Sequence, residues 1–145
     1  MSRLPPQPGP LTVGGGASLR CLVPIKVLLA DDSKIMRRAI QQFLQECVEL
    51  ELVGEACDFH EAIAFADALR PDVLVLDLRM AEKANGELHE LRERLSSLRM
   101  VAISAADDEE INALAGRLGA DAFVDKMEMY DKLAPAILQL TRPAL

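Results

Sequence analysis

The residues with chemistry to offer stand at the ends of short apolar runs. Asp31 and Asp32 close "KVLLADD", Asp77 closes "DVLVLD", Ser104 closes "RMVAIS" and Lys126 follows "DAFVD". Three carboxylates brought together repel one another unless a cation joins them. An all-oxygen donor set suits Mg²⁺, which favours one or two carboxylates plus a phosphate oxygen. A metal beside a lone carboxylate, a hydroxyl and an ammonium equips a site for phosphoryl transfer, where positioning and charge neutralisation supply most of the catalysis. In such a site Asp77 is the candidate nucleophile and an aspartyl phosphate the product. Lys126 and Mg²⁺ would neutralise the phosphoryl oxygens from two sides, and Ser104 could donate a hydrogen bond to one of them.

These five residues can meet only if the chain carries four segment ends to one edge. From Pro24 onward, apolar runs at 25–30, 50–55, 72–77, 99–104 and 121–125 alternate with helix-period stretches at 33–47, 59–69, 86–97, 107–118 and 128–141. That alternation is the pattern of βα units around a parallel sheet, a doubly wound α/β domain with five strands and five helices. The first, third and fourth runs are almost continuously apolar, as buried central strands require, whereas "LELVGE" alternates like an edge strand. Ile35, Met36, Ala39, Ile40, Phe43 and Leu44 give the first helix an apolar stripe for the sheet. Asp58 and Glu61 suggest a capping box, the second helix stops before Pro71, and the fourth opens on Asp107 and Asp108 and closes near Gly119. In an open sheet of this kind the functional crevice lies outside the carboxyl ends of the strands. Asp31, Asp32, Asp77, Ser104 and Lys126 all fall there.

Composition narrows the function further. The chain has 145 residues, enough for one domain with one core, and that core must be aliphatic because only 3% of residues are aromatic. The net charge is −7, with no basic stripe, so direct nucleic-acid binding is not expected. Cys21, Cys47 and Cys57 form no CxxC pair and read as reduced thiols of a cytoplasmic protein. No apolar run approaches the ~18 residues of a membrane span. Residues 1–23, with "PPQPGP" and "GGG", are expected to be a flexible tail, 24–141 the domain, and 142–145 a short tail.

Each motif also has a structural reading. Asp31 and Asp32 could cap the first helix; Asp77 and Lys126 could form a simple ion pair; Ser104 could serve as a strand-end cap. His60 and His89 lie near no ligand cluster, and "DDEE" at 107–110 suits a solvated helix start.

Taken together, "LLADDSKIMRRAI", "RPDVLVLDLRM", "VAISA" and "GADAFVDK" resemble, in order and spacing, the motifs of the receiver domain of two-component response regulators, over about Ile25 to Leu140. The resemblance implies a flavodoxin-like sheet of order 2-1-3-4-5. It implies Asp77 as phosphoacceptor and Asp31, Asp32 and Asp77 as Mg²⁺ ligands, with the backbone carbonyl of Arg79 completing the site. Ser104 and Lys126 would grip the phosphoryl group, Ser104 and Phe123 would act as switch residues, and the small Ala105 would leave access to the acceptor. Departures from the family pattern are Met80-Ala81 for Met-Pro, Gly86 one position late, Lys126-Met127 for Lys-Pro, and Phe59 for glycine.

The expected function is a bacterial, cytoplasmic phosphorelay switch without an output domain of its own. It would take its phosphoryl group from a sensor histidine kinase or histidine phosphotransfer protein docking on the first helix and active-site loops. Phosphorylation would then alter the face of helix 4, strand 5 and helix 5, which binds a downstream protein or a second copy. The chain would not be an enzyme beyond its own phosphorylation and dephosphorylation. Two alternatives stand beside it: a receiver fragment of a longer transcription regulator, and a degenerate receiver that acts as a phosphorylation-independent interaction module. A phosphohydrolase is disfavoured, since such enzymes carry an acid two residues after the nucleophile, where Arg79 stands.

Overall fold

The computed structural model describes residues 23–83, 86–105 and 108–141. The expected tails, Cys21 and Asp107 therefore lie wholly or largely outside the described residues. Five strands, β1 (Ile25–Ala30), β2 (Leu50–Ala56), β3 (Val73–Asp77), β4 (Arg99–Ser104) and β5 (Ala122–Asp125), alternate with five helices. The helices are α1 (Lys34–Gln45), α2 (Phe59–Leu69), α3 (Glu87–Arg94), α4 (Glu109–Leu118) and α5 (Met129–Thr141). All strand pairings are parallel and the order is β2-β1-β3-β4-β5, as the resemblance implied.

Alternation along the central strands divides the core into two layers. Val27, Leu29, Val73, Val75, Val101 and Ile103 pack under α1 and α5, against Ile40, Leu44, Met129, Leu133 and Ile137. Leu28, Ala30, Leu74, Leu76 and Met100 point the other way, onto Ala62, Ala66, Leu88 and Leu91 of α2 and α3. A third cluster joins Leu78 and Ala102 to Leu114 and Ala115 of α4, with Phe123 packed against it. With both faces covered, β3 is buried throughout and can be purely apolar up to Asp77.

Strand β2 departs from simple alternation. Val27 pairs with Leu52 but Leu28 pairs with Gly54, so Val53 is the extra residue of a bulge. The bulge inverts the parity of everything after it. Leu50 and Leu52 pack with the α1–α5 layer, whereas Ala56 packs with the α2–α3 layer. Gly54 backs onto Leu69 and Leu28, where a Cβ would lie 2.8 Å and 3.2 Å from their methyl carbons.

Local chemistry sets the helix ends. Ser33 caps α1 by accepting the Met36 N–H, so the helix begins after Ser33 rather than at the acids. Asp58 caps α2 through the Glu61 N–H, but Glu61 returns its carboxylate to the Cys57 N–H, one residue before the position of an ordinary capping box. α2 ends with Arg70 in the left-handed region at φ 50°, directly before Pro71. Asp108 caps α4, and Gly119 closes it at φ 75°.

Two expectations need correction. Ile35 does not join the buried stripe of α1; it is 83% exposed. It lies five residues before Ile40, about 140° around a helix of 3.6 residues per turn, so burying one excludes the other. α3 is shorter than 86–97, because the chain turns at Leu95 to bring Leu95 and Leu98 into the core. At the start of the last strand, Asp121 precedes β5, and its carboxylate accepts the Met100 N–H and pairs with Arg92.

Candidate functional site

At the top of β1 the main chain continues one residue beyond the strand: the Asp31 N–H donates to Ala56 O at 3.1 Å. Asp31 Oδ1 then accepts the Ser33 N–H at 2.8 Å. This local turn fixes the Asp31 side chain and leaves capping of α1 to Ser33, so capping does not account for the pair of acids. Asp31 is fully buried, while Asp32 beside it is exposed. Arg37, from the second turn of α1, donates from Nη1 to the Asp31 carbonyl oxygen at 2.6 Å. Its Nε lies 3.4 Å from Glu55 Oε1.

Asp77 ends β3 on the adjacent strand and is also buried. Its Oδ1 accepts the Arg79 N–H at 3.2 Å. Lys126 reaches in from just beyond β5 and bridges the two buried acids, with Nζ 2.7 Å from Asp31 Oδ2 and 3.3 Å from Asp77 Oδ2. The pairing is electrostatic for Asp31 Oδ2, which is buried and makes no hydrogen bond of good geometry. Asp31, Asp32 and Asp77 each offer an oxygen, and these oxygens lie within 4.8 Å of one another.

Three carboxylates against one ammonium leave the pocket short of positive charge. Burial pushes the Asp77 carboxyl above its ordinary value and the Asp31 charge adds to the rise, while Lys126 and the Arg79 N–H oppose it. A buried oxygen without a hydrogen bond, next to two more carboxylate oxygens, is a donor set that fits a hard divalent cation.

Ser104 is buried at the end of β4, in register with Asp125, and one residue past Ile103, the partner of Asp77. Phe123, paired with Ala102, is partly exposed and packs against the cluster beneath α4. Ala105 is exposed beside Ser104. Arg79 is exposed and opens the turn into a 3₁₀ segment at Met80–Lys83. Thus Asp31, Asp32, Asp77 and Lys126 share one pocket, and Ser104 sits on the neighbouring strand end. Arg37 and Glu55 did not stand out in the sequence, because no spacing rule links them to the acids.

Other titratable groups have local roles. His89 pairs with Glu93 on the α3 surface at 3.3 Å. Cys57, Asp58 and Glu61 also lie close together, but Glu61 is occupied by the Cys57 N–H and thiol, and its hydrogen bond raises the thiol pKa.

Comparison with known proteins agrees with this geometry. The family model "Response regulator receiver domain" matches residues 27–138. The chain is 36% identical over 112 residues to the nitrate/nitrite response regulator protein NarL of Escherichia coli K12, covering 76% of this chain and 52% of that protein. It is 36% identical over 114 residues to the DNA-binding transcriptional activator DevR/DosR of Mycobacterium tuberculosis, covering 78% and 52%. The chain therefore spans about half the length of these curated relatives. Among solved structures, the signal receiver domain of a response regulator NarL from Mycobacterium tuberculosis superposes with a TM-score of 0.74 at 27% identity, covering 84% of this chain and 99% of that one. With acids at the ends of β1 and β3, a lysine beyond β5 and a family match over residues 27–138, the chain belongs to the response regulator receiver domains.

Proposed function

We propose that the chain is a phosphorylation-controlled switch in which Asp77 accepts a phosphoryl group from a phosphohistidine. The observation that carries this reading is the Lys126 ammonium bridging the buried Asp31 and Asp77 carboxylates, with Asp32 alongside. A carboxylate oxygen of Asp77 attacks phosphorus, the P–N bond breaks, and its electron pair stays on the imidazole nitrogen. Lys126 neutralises the phosphoryl oxygens, and the Ser104 hydroxyl donates to one of them. Asp31 and Asp32, with the Arg79 carbonyl, would hold Mg²⁺, which when bound offsets the negative charge of the carboxylates and of the incoming phosphoryl group. Gripping of the phosphoryl group by Ser104 makes room for Phe123 to turn inward, changing the face of α4, β5 and α5.

The donor would be a sensor histidine kinase or histidine phosphotransfer protein. Ile35 at the start of α1 and Met127 next to Lys126 are 83% and 85% exposed, and would serve as apolar anchors for such a partner. The α4–β5–α5 face would meet a downstream protein or a second copy, with no direct contact to nucleic acid or membrane. Among the described residues no helix is long and apolar enough to cross a membrane. The protein would act as a switch and not as an enzyme on another substrate.

A second reading, the receiver portion of a longer transcription regulator, is favoured by relatives about twice the matched length, one of them named as DNA-binding. Both readings share the acceptor chemistry. Mass spectrometry after treatment with acetyl phosphate, with and without Mg²⁺, tests it. One phosphoryl group on Asp77, dependent on Mg²⁺, is the expected result. No incorporation, together with no Mg²⁺-dependent binding of beryllofluoride, would leave a phosphorylation-independent interaction module.

A further inference from the structure

Arg37 is no part of the acidic cluster, yet it holds the main chain that carries it. Its Nη1 donates to the carbonyl of the peptide joining Asp31 to Asp32, at 2.6 Å. The orientation of that peptide sets where the Asp32 side chain departs relative to Asp31. The neighbouring groups are already committed: the Asp31 N–H to Ala56 O, and the Ser33 N–H to Asp31 Oδ1. Among the described residues, no hydrogen bond or ion pair holds the Asp32 carboxylate itself. Arg37 is thus the side chain that ties down the remaining freedom of this turn, and at 16% exposure it is well shielded.

Glu55 orients the guanidinium from the far side, 3.4 Å from Nε. It can do so only because of the bulge. The register shift at Val53 pairs Glu55 with Leu29, whose side chain faces the α1–α5 layer. In unbroken register Glu55 would oppose Ala30 and point toward α2. The Glu55 carboxylate also offsets the Arg37 charge, so the guanidinium can lie beside the pocket without strongly opposing a bound cation.

On the basis of the Mg²⁺ site proposed above, we infer that Arg37, oriented by Glu55, is a positioning residue that fixes the Asp31–Asp32 peptide and thereby keeps Asp32 among the metal-binding carboxylates. Arg37 could influence Mg²⁺ in two ways of opposite sign. As a bare positive charge it weakens cation binding, so its loss would tighten binding. As a positioning group it strengthens binding, and its loss would weaken it. Outer-shell partners of metal ligands are typically worth about 10–100-fold in affinity.

The test is calorimetric Mg²⁺ titration of the full chain and of Arg37→Gln, Arg37→Lys and Glu55→Gln, with amide hydrogen exchange of Ser33 measured in metal-free protein. The expected result is Mg²⁺ binding about tenfold weaker in Arg37→Gln, a smaller loss in Arg37→Lys and Glu55→Gln, and faster Ser33 exchange in all three. Arg37→Lys keeps the charge and one hydrogen bond but not the two-sided fork. It also carries the test with Glu55→Gln if Arg37→Gln does not fold. Wild-type binding with equal or tighter binding in the variants overturns the role of Arg37 alone. Absence of Mg²⁺ binding in the wild type overturns the metal site on which the inference rests.

Discussion

The Lys126 ammonium lies 2.7 Å from the Asp31 carboxylate, closer than the 3.3 Å that separates it from Asp77. The buried cation therefore favours Asp31, and Asp77 is left as the less well compensated of two buried acids. The oxygens of Asp77 are held at longer distances than those of the acid nearer the lysine, as the proposed acceptor role would require.

The same imbalance makes Asp77 a liability to the metal-free fold. Its folded-state pKa is raised, chiefly by burial, so the folded protein holds the proton to a higher pH than the unfolded chain does. Stability should fall as pH rises from the ordinary carboxylate value through the raised one. In EDTA, Asp77→Asn should be more stable than wild type at pH 7, with the gain shrinking as pH falls through the raised value and gone once pH drops below the ordinary carboxylate value of 3.8. Thermal melts of both proteins across this range check it; a variant less stable at pH 7 would show that the charge is well compensated.

Mg²⁺ should reverse the sign of that liability. At a concentration about 100 times its dissociation constant, a ligand specific to the folded state adds about 2.7 kcal/mol. The melting temperature of the wild type should rise on adding Mg²⁺ and return with EDTA. Asp32→Ala should respond much less, and an equal response in both would place the ion elsewhere.

Removing the bridge should be more damaging than neutralising Asp77. Lys126→Ala leaves two buried carboxylates without their cation, a loss of about 3–5 kcal/mol for a buried pair. Urea unfolding in EDTA measures this. A change below about 0.5 kcal/mol, the level of surface substitutions, would mean that water already screens the pair. In Mg²⁺, Lys126→Ala should also fail to couple phosphorylation to any change in self-association.

Ile35 should matter to a partner and not to the fold. Because the side chain is exposed, Ile35→Ser should change stability by no more than about 0.5 kcal/mol. Transfer from a phosphorylated histidine phosphotransfer domain should slow, while labelling by acetyl phosphate stays unchanged. Equal slowing with both donors would relocate the effect to the pocket.

Most of this architecture was legible in the chain because its signals are local. The near-continuous aliphatic runs of β1, β3 and β4 reveal strands buried on both faces, and their terminal residues predict which side chains meet. Caps such as Asp58 and Asp108 work through backbone groups three residues away, so they can also be read directly. What escaped detection depends on contacts between distant segments. Ile35 belongs to an apolar pattern that is wider than the face the sheet can cover. The Arg37–Glu55 pairing depends on an extra residue in β2, and nothing in "LELVGEA" announces which residue is extra. Asp121 leaves the strand pattern to become a bracket between α3 and β4.

The bulge at Val53 bears on solubility as well. An outermost strand shows a row of unpaired amides and carbonyls that can recruit a strand from another molecule, and a kink with charges on either side spoils such a template. Here the kink falls between Glu51 and Glu55, both exposed, so two molecules approaching through β2 would meet a broken ladder and like charges. The opposite border of the sheet is guarded by brevity, since β5 has only 4 residues. Both borders of the sheet are thereby poor templates for stacking one copy of this acidic domain on another.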